Sequence, residues 1–535
     1  MRKFVAALLV SLYACALLAD EGQHPVDVNQ NLGVVSFSTS CSKASQRAIE
    51  HGLALLHSFL FDAAEDQFKA AAAHDSACAM ALWGEAIGLY RPLVYRPTDS
   101  AMKQGRELVQ KARALRPKTQ RERDYVDALA VFYRADQRDY DTRNREFSET
   151  MAKVYKKYPD DQEAAVFYGL SLLTWDDPDS QDPLANAERA IGILNQVFRE
   201  NPDHPGVAHY LIHAADAPQL APMGLDAARR YAQIAPAAPH ALHMPSHIFA
   251  RLGLWQEDIQ SNLASLQAAR DPAIHVGAEN QLHAMEFLEY AYLQIGDDKN
   301  AEEMVAEQAK IGFEQVDKNL VDYVNRTRAN SPAMLCLERR NWKAAEALQP
   351  DPSAETYNQA ITYWARAVAA GHLREVDATQ QAVKQYDSLL EATKQGSHSY
   401  RAKYMSTKRD EAHAWLAFVQ GKDDDALGLL RAVADQQDAQ GKGEVELPAR
   451  EMLADMLLEM NRPAEALAEF ENSMKVDPNR FNGLYGAGRA AELTHQAEKA
   501  ARYYTQLLKN CENGINSNRP ELARAKALVK SGNLH

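Results

Sequence analysis

The sequence predicts an all-α solenoid, a stack of helix-turn-helix hairpins wound into a right-handed superhelix. Runs such as LPAREMLADMLLEM (447–460) and EAAVFYGLSLL (163–173) repeat apolar residues at three and four, the spacing of one helix face, and no stretch alternates convincingly as a strand would. Paired helical spans recur at an interval of about 34 residues, with Gly or turn residues between the helices and Pro near the end of the pair. The chain has 535 residues, of which 46% are hydrophobic and 25% charged, ample for a large buried interior.

That interval is the tetratricopeptide period, and its punctuation places the units in order. A first hairpin is expected at 45–78, with Phe61, Ala64 and Phe68 at packing positions. Further units are expected near 162–202, 205–238, 239–272, 282–315, 357–390 and 407–440. Pro236 and Pro272 close the third and fourth of these seven, and Gly253, Trp255 and Ile259 fall where the turn and second helix of 239–272 begin. Residues 447–480 carry Ala466, Phe470 and Pro478 at the packing and terminating positions, and 481–514 carry Gly488, Ala500 and Tyr504 in register. Segments 175–183 and 267–281 read as inserted loops. The stretch 436–446, with Gly441 and Gly443, reads as a hinge or a plain loop between an N-terminal array (45–440) and a C-terminal block (441–535). Trp83, Trp255 and Trp415 read as core, His57 as a satisfied semi-buried residue, and the acidic runs 160–161 and 423–425 as solvated turns.

The first residues, MRKFVAALLVSLYACALLADEG, combine Arg2 and Lys3 with a short apolar run and small residues before Asp20. They read as a signal peptide over 1–19, followed by a polar lead-in over 20–44. The apolar run is short for a membrane span, which needs roughly 20 residues, and no later stretch is apolar enough. A lipid anchor on Cys15 is the alternative to a soluble periplasmic or secreted product. Export would put Cys41, Cys78, Cys336 and Cys511 in an oxidising compartment. Four cysteines allow three pairings; Cys41 with Cys78 closes the shortest loop and is the expected bridge, against four separately buried thiols. The formal charge of −14 argues against a nucleic-acid surface, which rests on Lys and Arg.

Six segments form an ordered set: LGVVSFSTSCS (32–42), GLALLHSFLFDAAEDQF (52–68), CAMALWGEA (78–86), HPGVAHYLIHAADAP (204–218), APHALHMPSHIFARLGLW (238–255) and LHAMEFLEYAYLQIG (282–296). Together they resemble a family of exported bacterial tetratricopeptide-repeat proteins with HxxxH groove motifs, from about residue 30 to 315. The resemblance implies the fold and export, and it implies no particular activity. Ser76 stands where that family usually has Pro, and Glu286 where Asp is common.

The chemistry-bearing residues concentrate in 205–296. His243 and His247 follow His209 and His213 by 34 residues, so residues four apart on one helix face recur on the next hairpin and the four imidazoles should cluster. His240 joins them if its segment is helical, although Pro245 suggests that His240 and His243 sit in a loop entering the helix. In tetratricopeptide arrays the second, fifth and ninth positions of each first helix face the concave groove. In three successive units these are Gly206, His209, His213; His240, His243, His247; and His283, Glu286, Tyr290. Equivalent positions elsewhere, Pro448, Glu451, Asp455 and Asn482, Tyr485, Arg489, show no such enrichment.

Neutral imidazoles at this spacing suit a transition metal, Zn or Cu, with Glu286 as a ligand or as an outer acceptor that fixes a tautomer. The competing expectation is a polar groove for a partner protein or peptide, its histidines bonded to one another and to Asp216, Tyr210 or Tyr290, with Arg251 binding a carboxylate or forming an internal salt bridge. A metal-dependent hydrolase, with Asp216 or Glu286 as base, is the enzymatic alternative. The chain has no HExxH, P-loop, GxSxG or dinucleotide fingerprint.

Overall fold

A computed structural model of the chain describes residues 31–94, 96–176, 180, 182–272, 274, 276–316, 320–396, 398–440, 443, 445–512 and 517–531. The expected signal peptide and Cys15 lie outside them. Among the described residues there is no strand; helices follow one another in antiparallel pairs from Lys43–His57 with Phe61–His74 to Phe481–Leu493 with Ala497–Asn510, and Pro520–Ser531 follows as a single helix. The chain is an all-α solenoid of the tetratricopeptide type, and among the described residues no helix is long and apolar enough to cross a membrane.

Local chemistry starts and stops these helices. Ser42 accepts from the backbone N–H of Ser45 at 3.2 Å, and Thr119 with Glu122 forms a reciprocal capping box that satisfies two of the first-turn donors. Gly253 ends Pro245–Leu252 in the left-handed region, at φ 63°, where a Cβ would also lie 2.3 Å from the carbonyl oxygen of Pro478. Only glycine meets both demands.

Three further helix pairs lie between the expected units: Ala79–Gly88 with Asp99–Ala114, Gln120–Phe132 with Tyr140–Lys157, and Val321–Glu338 with the short Trp342–Glu346. Their connections are uneven in length, so the 34-residue rule passes over them. The run 423–425 opens the helix Asp423–Gln440 rather than forming a turn, its carboxylates suited to the positive helix N-terminus. Cys41 and Cys78 are joined in a disulfide, with Cα atoms 5.1 Å apart, and Trp83, Trp255 and Trp415 are buried.

The apolar interior divides between Phe249 and Ala250, one core drawing on residues 32–249 and the other on 250–525. Beside the stretch read as a hinge or plain loop, Gln437 accepts from the Ala449 N–H at 2.9 Å, and Arg450 binds Asp435 and Asp438 at 2.6 and 2.7 Å.

The last repeats also reach back to the middle of the chain. Trp255 donates its indole N–H to the Asn479 carbonyl at 2.8 Å, and Gln294 accepts from the Phe481 N–H at 3.0 Å. Arg480, 1% exposed, binds Glu338 at 2.6 Å, Glu451 at 2.7 Å and the Tyr290 hydroxyl. Burial pushes the Glu451 carboxyl up to about 7, against the opposing pull of Arg480.

Candidate metal centre

Three consecutive first helices carry the histidines. Pro205–Ala214 presents His209 and His213, and Glu279–Gln294 presents His283 and Glu286. Between them the helix is divided at Met244 into Pro239–His243 and Pro245–Leu252. Met244 keeps right-handed helical angles (φ −50°, ψ −36°), its N–H bonds the His240 carbonyl at 2.9 Å, and Pro245 begins the second segment where its missing N–H is tolerated. The loop expected around His240 and His243 is therefore a helical turn, and it turns both rings inward with His247.

The six imidazoles form two triads rather than one cluster. His209, His213 and His240 offer ring nitrogens within 4.8 Å of one another, and so do His243, His247 and His283. In the first, His209 Nε2 lies 3.0 Å from His240 Nε2 and 3.1 Å from His213 Nε2. In the second, His243 Nε2 lies 3.0 Å from His247 Nε2. A tetrahedral ion with bonds of about 2.0 to 2.1 Å separates its nitrogens by roughly 3.3 Å, so these contacts are near ligand spacing.

Outer acceptors fix the tautomers. His209 Nδ1 meets the His57 carbonyl at 2.6 Å, and a carbonyl only accepts, so that nitrogen carries the proton. His243 Nδ1 meets Asn262 Oδ1 at 2.6 Å, while the Asn262 amide donates to the Asp258 carbonyl and carboxylate at 3.0 and 2.7 Å. His247 Nδ1 donates to Asp216 Oδ2 at 2.9 Å, and Arg251 holds the other oxygen of Asp216 at 3.0 Å. His209 and His243 thus aim an unprotonated Nε2 inward, the Nε2 of His247 faces the same way, and the outer partners are those that orient metal-binding imidazoles. Burial first, and then the neighbouring imidazoles, push His209, His240 and His243 well below the usual histidine range, which keeps them neutral.

Glu286 is committed outside the triads. Its oxygens take Arg326 at 2.9 Å each, Thr327 at 3.2 Å and the Tyr323 hydroxyl; Tyr323 in turn meets His283 Nδ1 at 3.1 Å. Burial opposes its charge, yet Arg326 and these donors bring the carboxyl down to about 2. Of the two roles expected for Glu286, the geometry suits the outer acceptor.

No protein-family profile matches the chain, and no curated protein matches it. Among solved structures, the chain is similar to a human IFIT1 dimer with PPP-AAAA at 11% identity and a TM-score of 0.36, covering 88% of this chain and 91% of that one. It is similar to a tetratricopeptide repeat protein from Parabacteroides merdae at 15% identity and a TM-score of 0.24, covering 63% of this chain and 97% of that one. It is also similar to the APC/C hetero-tetramer Cut9-Hcn1 at 12% identity and a TM-score of 0.30, covering 83% and 76%.

The residues expected to line an open groove beside the histidines do not. Tyr210, Arg251 and Tyr290 are 1%, 8% and 3% exposed. Tyr210 bonds His57 Nδ1 at 2.9 Å, Arg251 anchors Asp216 as an internal salt bridge, and Tyr290 faces Arg480. Their polar atoms are drawn to partners inside the stack because a buried hydroxyl or guanidinium without one is costly.

A third group was not foreseen. His57, fully buried rather than half-buried, places Nε2 3.0 Å from Glu163 Oε2, and His204 Nε2 lies 2.8 Å from Glu163 Oε1. His204 Nδ1 accepts from the Val207 N–H at 3.4 Å, so its Nε2 carries the proton and donates. Both Glu163 oxygens are occupied by N–H donors, which describes a buried hydrogen-bond bridge rather than a vacant ligand set. Gly206 makes it possible: a Cβ there would lie 2.7 Å from His57 Nδ1. The only sequence signal was His204 at a helix start before Pro205.

Proposed function

We propose that this helical-repeat scaffold holds a transition metal, zinc or copper, in its histidine face and presents it to a ligand or partner peptide. The observation that carries this reading is His243 against His247: both Nδ1 protons are committed outward, to Asn262 and Asp216, yet the two Nε2 lone pairs stand 3.0 Å apart. Two lone pairs at that distance repel unless a proton or a metal cation lies between them, and an all-imidazole donor set suits zinc or copper. We place the protein outside the cytoplasm, in line with its basic-then-apolar first residues and the Cys41–Cys78 bridge. Intact mass of secreted or periplasmic material beginning near Asp20, or lipidated on Cys15, is the expected result; recovery from the cytoplasm with Met1 retained would overturn it.

Metal binding is tested by titrating Zn(II) into the full chain and into a variant with His213, His240, His247 and His283 replaced by Ala. These four are the partly exposed members of the triads, so their loss spares the interior. Loss of the calorimetric signal with unchanged helical circular dichroism is expected, and equal binding by both proteins would sink the proposal. A second reading, a metal-dependent hydrolase, is favoured by three histidines per triad, which leave a tetrahedral ion one open position. Zinc-dependent turnover of a phosphoester or carboxylic ester by the wild type and not by the variant is its test.

A further inference from the structure

Resting on the metal-binding reading, we infer that the six histidines hold two ions, one in each triad, close enough to share a single small oxygen ligand such as hydroxide. The spacing of the rings is the first ground. Within the triads, ring centroids range from 4.1 Å, for His243 and His283, to 6.3 Å, for His213 and His240. Between the triads, His240 and His243 are 6.3 Å apart, and His213 and His247 are 6.4 Å apart. A ring of one triad is thus within about 0.4 Å of being as near to a ring of the other as to the far member of its own. Two ions in such an array are close neighbours, as in paired-metal sites where roughly 3.5 to 4 Å separates the ions.

The donor set is the second ground. Six imidazole ligands bring no negative charge to two divalent cations. The nearest carboxylates are held outside: Asp216 is paired with Arg251, and Glu286 with Arg326. Three nitrogens also leave each ion short of a tetrahedron by one ligand. An anion bound between the ions fills both open positions and offsets the charge. Water bound there and acidified by the two cations gives up one proton to solvent and remains as hydroxide. The repeat itself supplies the geometry. The 34-residue step sets His243 and His247 beside His209 and His213, while His240 from the second hairpin completes the first triad and His283 from the third completes the second.

The experiment uses the full chain loaded with copper(II) chloride, desalted, and measured for bound copper and for electron paramagnetic resonance spin count. The wild type should carry two ions per chain with an integrated spin well below its copper content, because a shared hydroxide couples the two unpaired electrons antiferromagnetically. His213→Ala with His240→Ala, and separately His247→Ala with His283→Ala, should each carry one ion with about one spin per copper. One ion per wild-type chain would overturn the pair while leaving the metal-binding reading intact. Two ions with a full spin count would overturn the shared ligand, and no bound copper or zinc would overturn both readings. The wild-type count and spin decide the matter even where a variant does not fold.

Discussion

His247 donates its Nδ1 proton to Asp216 Oδ2 at 2.9 Å, while Arg251 holds the opposite oxygen of the same carboxylate at 3.0 Å. One acidic side chain thereby sets the tautomer and the orientation of a ring two helices away. Asp216→Asn keeps the shape and removes the charge. Zinc affinity should fall by about 10- to 100-fold, the usual cost of losing such an outer partner. Calorimetry on folded protein checks this, and unchanged affinity would show that Asp216 does not support the site.

The depressed histidines give the metal-free protein a pH dependence of definite sign. His209 is pushed well below 6.5 in the folded chain by burial and by His240, whereas in the unfolded chain it titrates normally. Below about pH 6.5 the unfolded state binds a proton that the folded state refuses, so stability present above that pH is lost as pH falls toward the folded value. The slope is about 1.4 kcal/mol per pH unit for one such group. Denaturant melts in chelator should show wild type losing ground to His209→Gln between pH 6.5 and 5. Parallel pH profiles would contradict the assignment.

Reduction of the Cys41–Cys78 bridge, whose cysteines lie 37 residues apart, should destabilise the chain by about 3 to 4 kcal/mol in the chain-entropy account. The comparison is the chemical-denaturation midpoint with and without reductant, repeated on a Cys41→Ser, Cys78→Ser variant. A reductant effect that persists in the variant would place the sensitivity elsewhere.

Arg480 stands between Glu338 and Glu451 with almost no access to water. Arg480→Met strands two buried carboxyls and should cost about 3 to 5 kcal/mol, whereas removing both glutamates as well, as leucines, should recover much of the loss. Equal stability of single and triple variants would mean that the cost is packing rather than charge.

The fold was legible because the 34-residue period and the helical spacing of apolar residues are properties of neighbours in sequence. The same period brought out His209, His213, His243 and His247 as one face. What stayed hidden depends on contacts that local pattern does not encode. Splitting into two triads follows from the break at Met244, which keeps His240 and His243 helical and lets each ring join a different set. The Glu163 bridge joins residues 106 and 41 positions away, with no repeated motif to flag it. Tyr290, read as a groove residue from its register, is covered by a repeat 190 residues further on, which no periodicity could reveal.

That last contact bears on the order in which the molecule can be made. Helix hairpins close locally and quickly, and the residues of both triads have all been translated by His283. The partners that bury Tyr290 and fix the Glu279–Gln294 helix at Gln294 arrive only with Arg480 and Phe481. At about 5 to 20 residues per second, the intervening chain takes roughly 10 to 40 s to emerge. During that interval the third helix of the histidine face lacks its final clamp, so the nascent chain passes through a stage in which six imidazoles are present and incompletely positioned. An ion held on this face would meet its final geometry only in the finished polypeptide, after its end has closed on its middle.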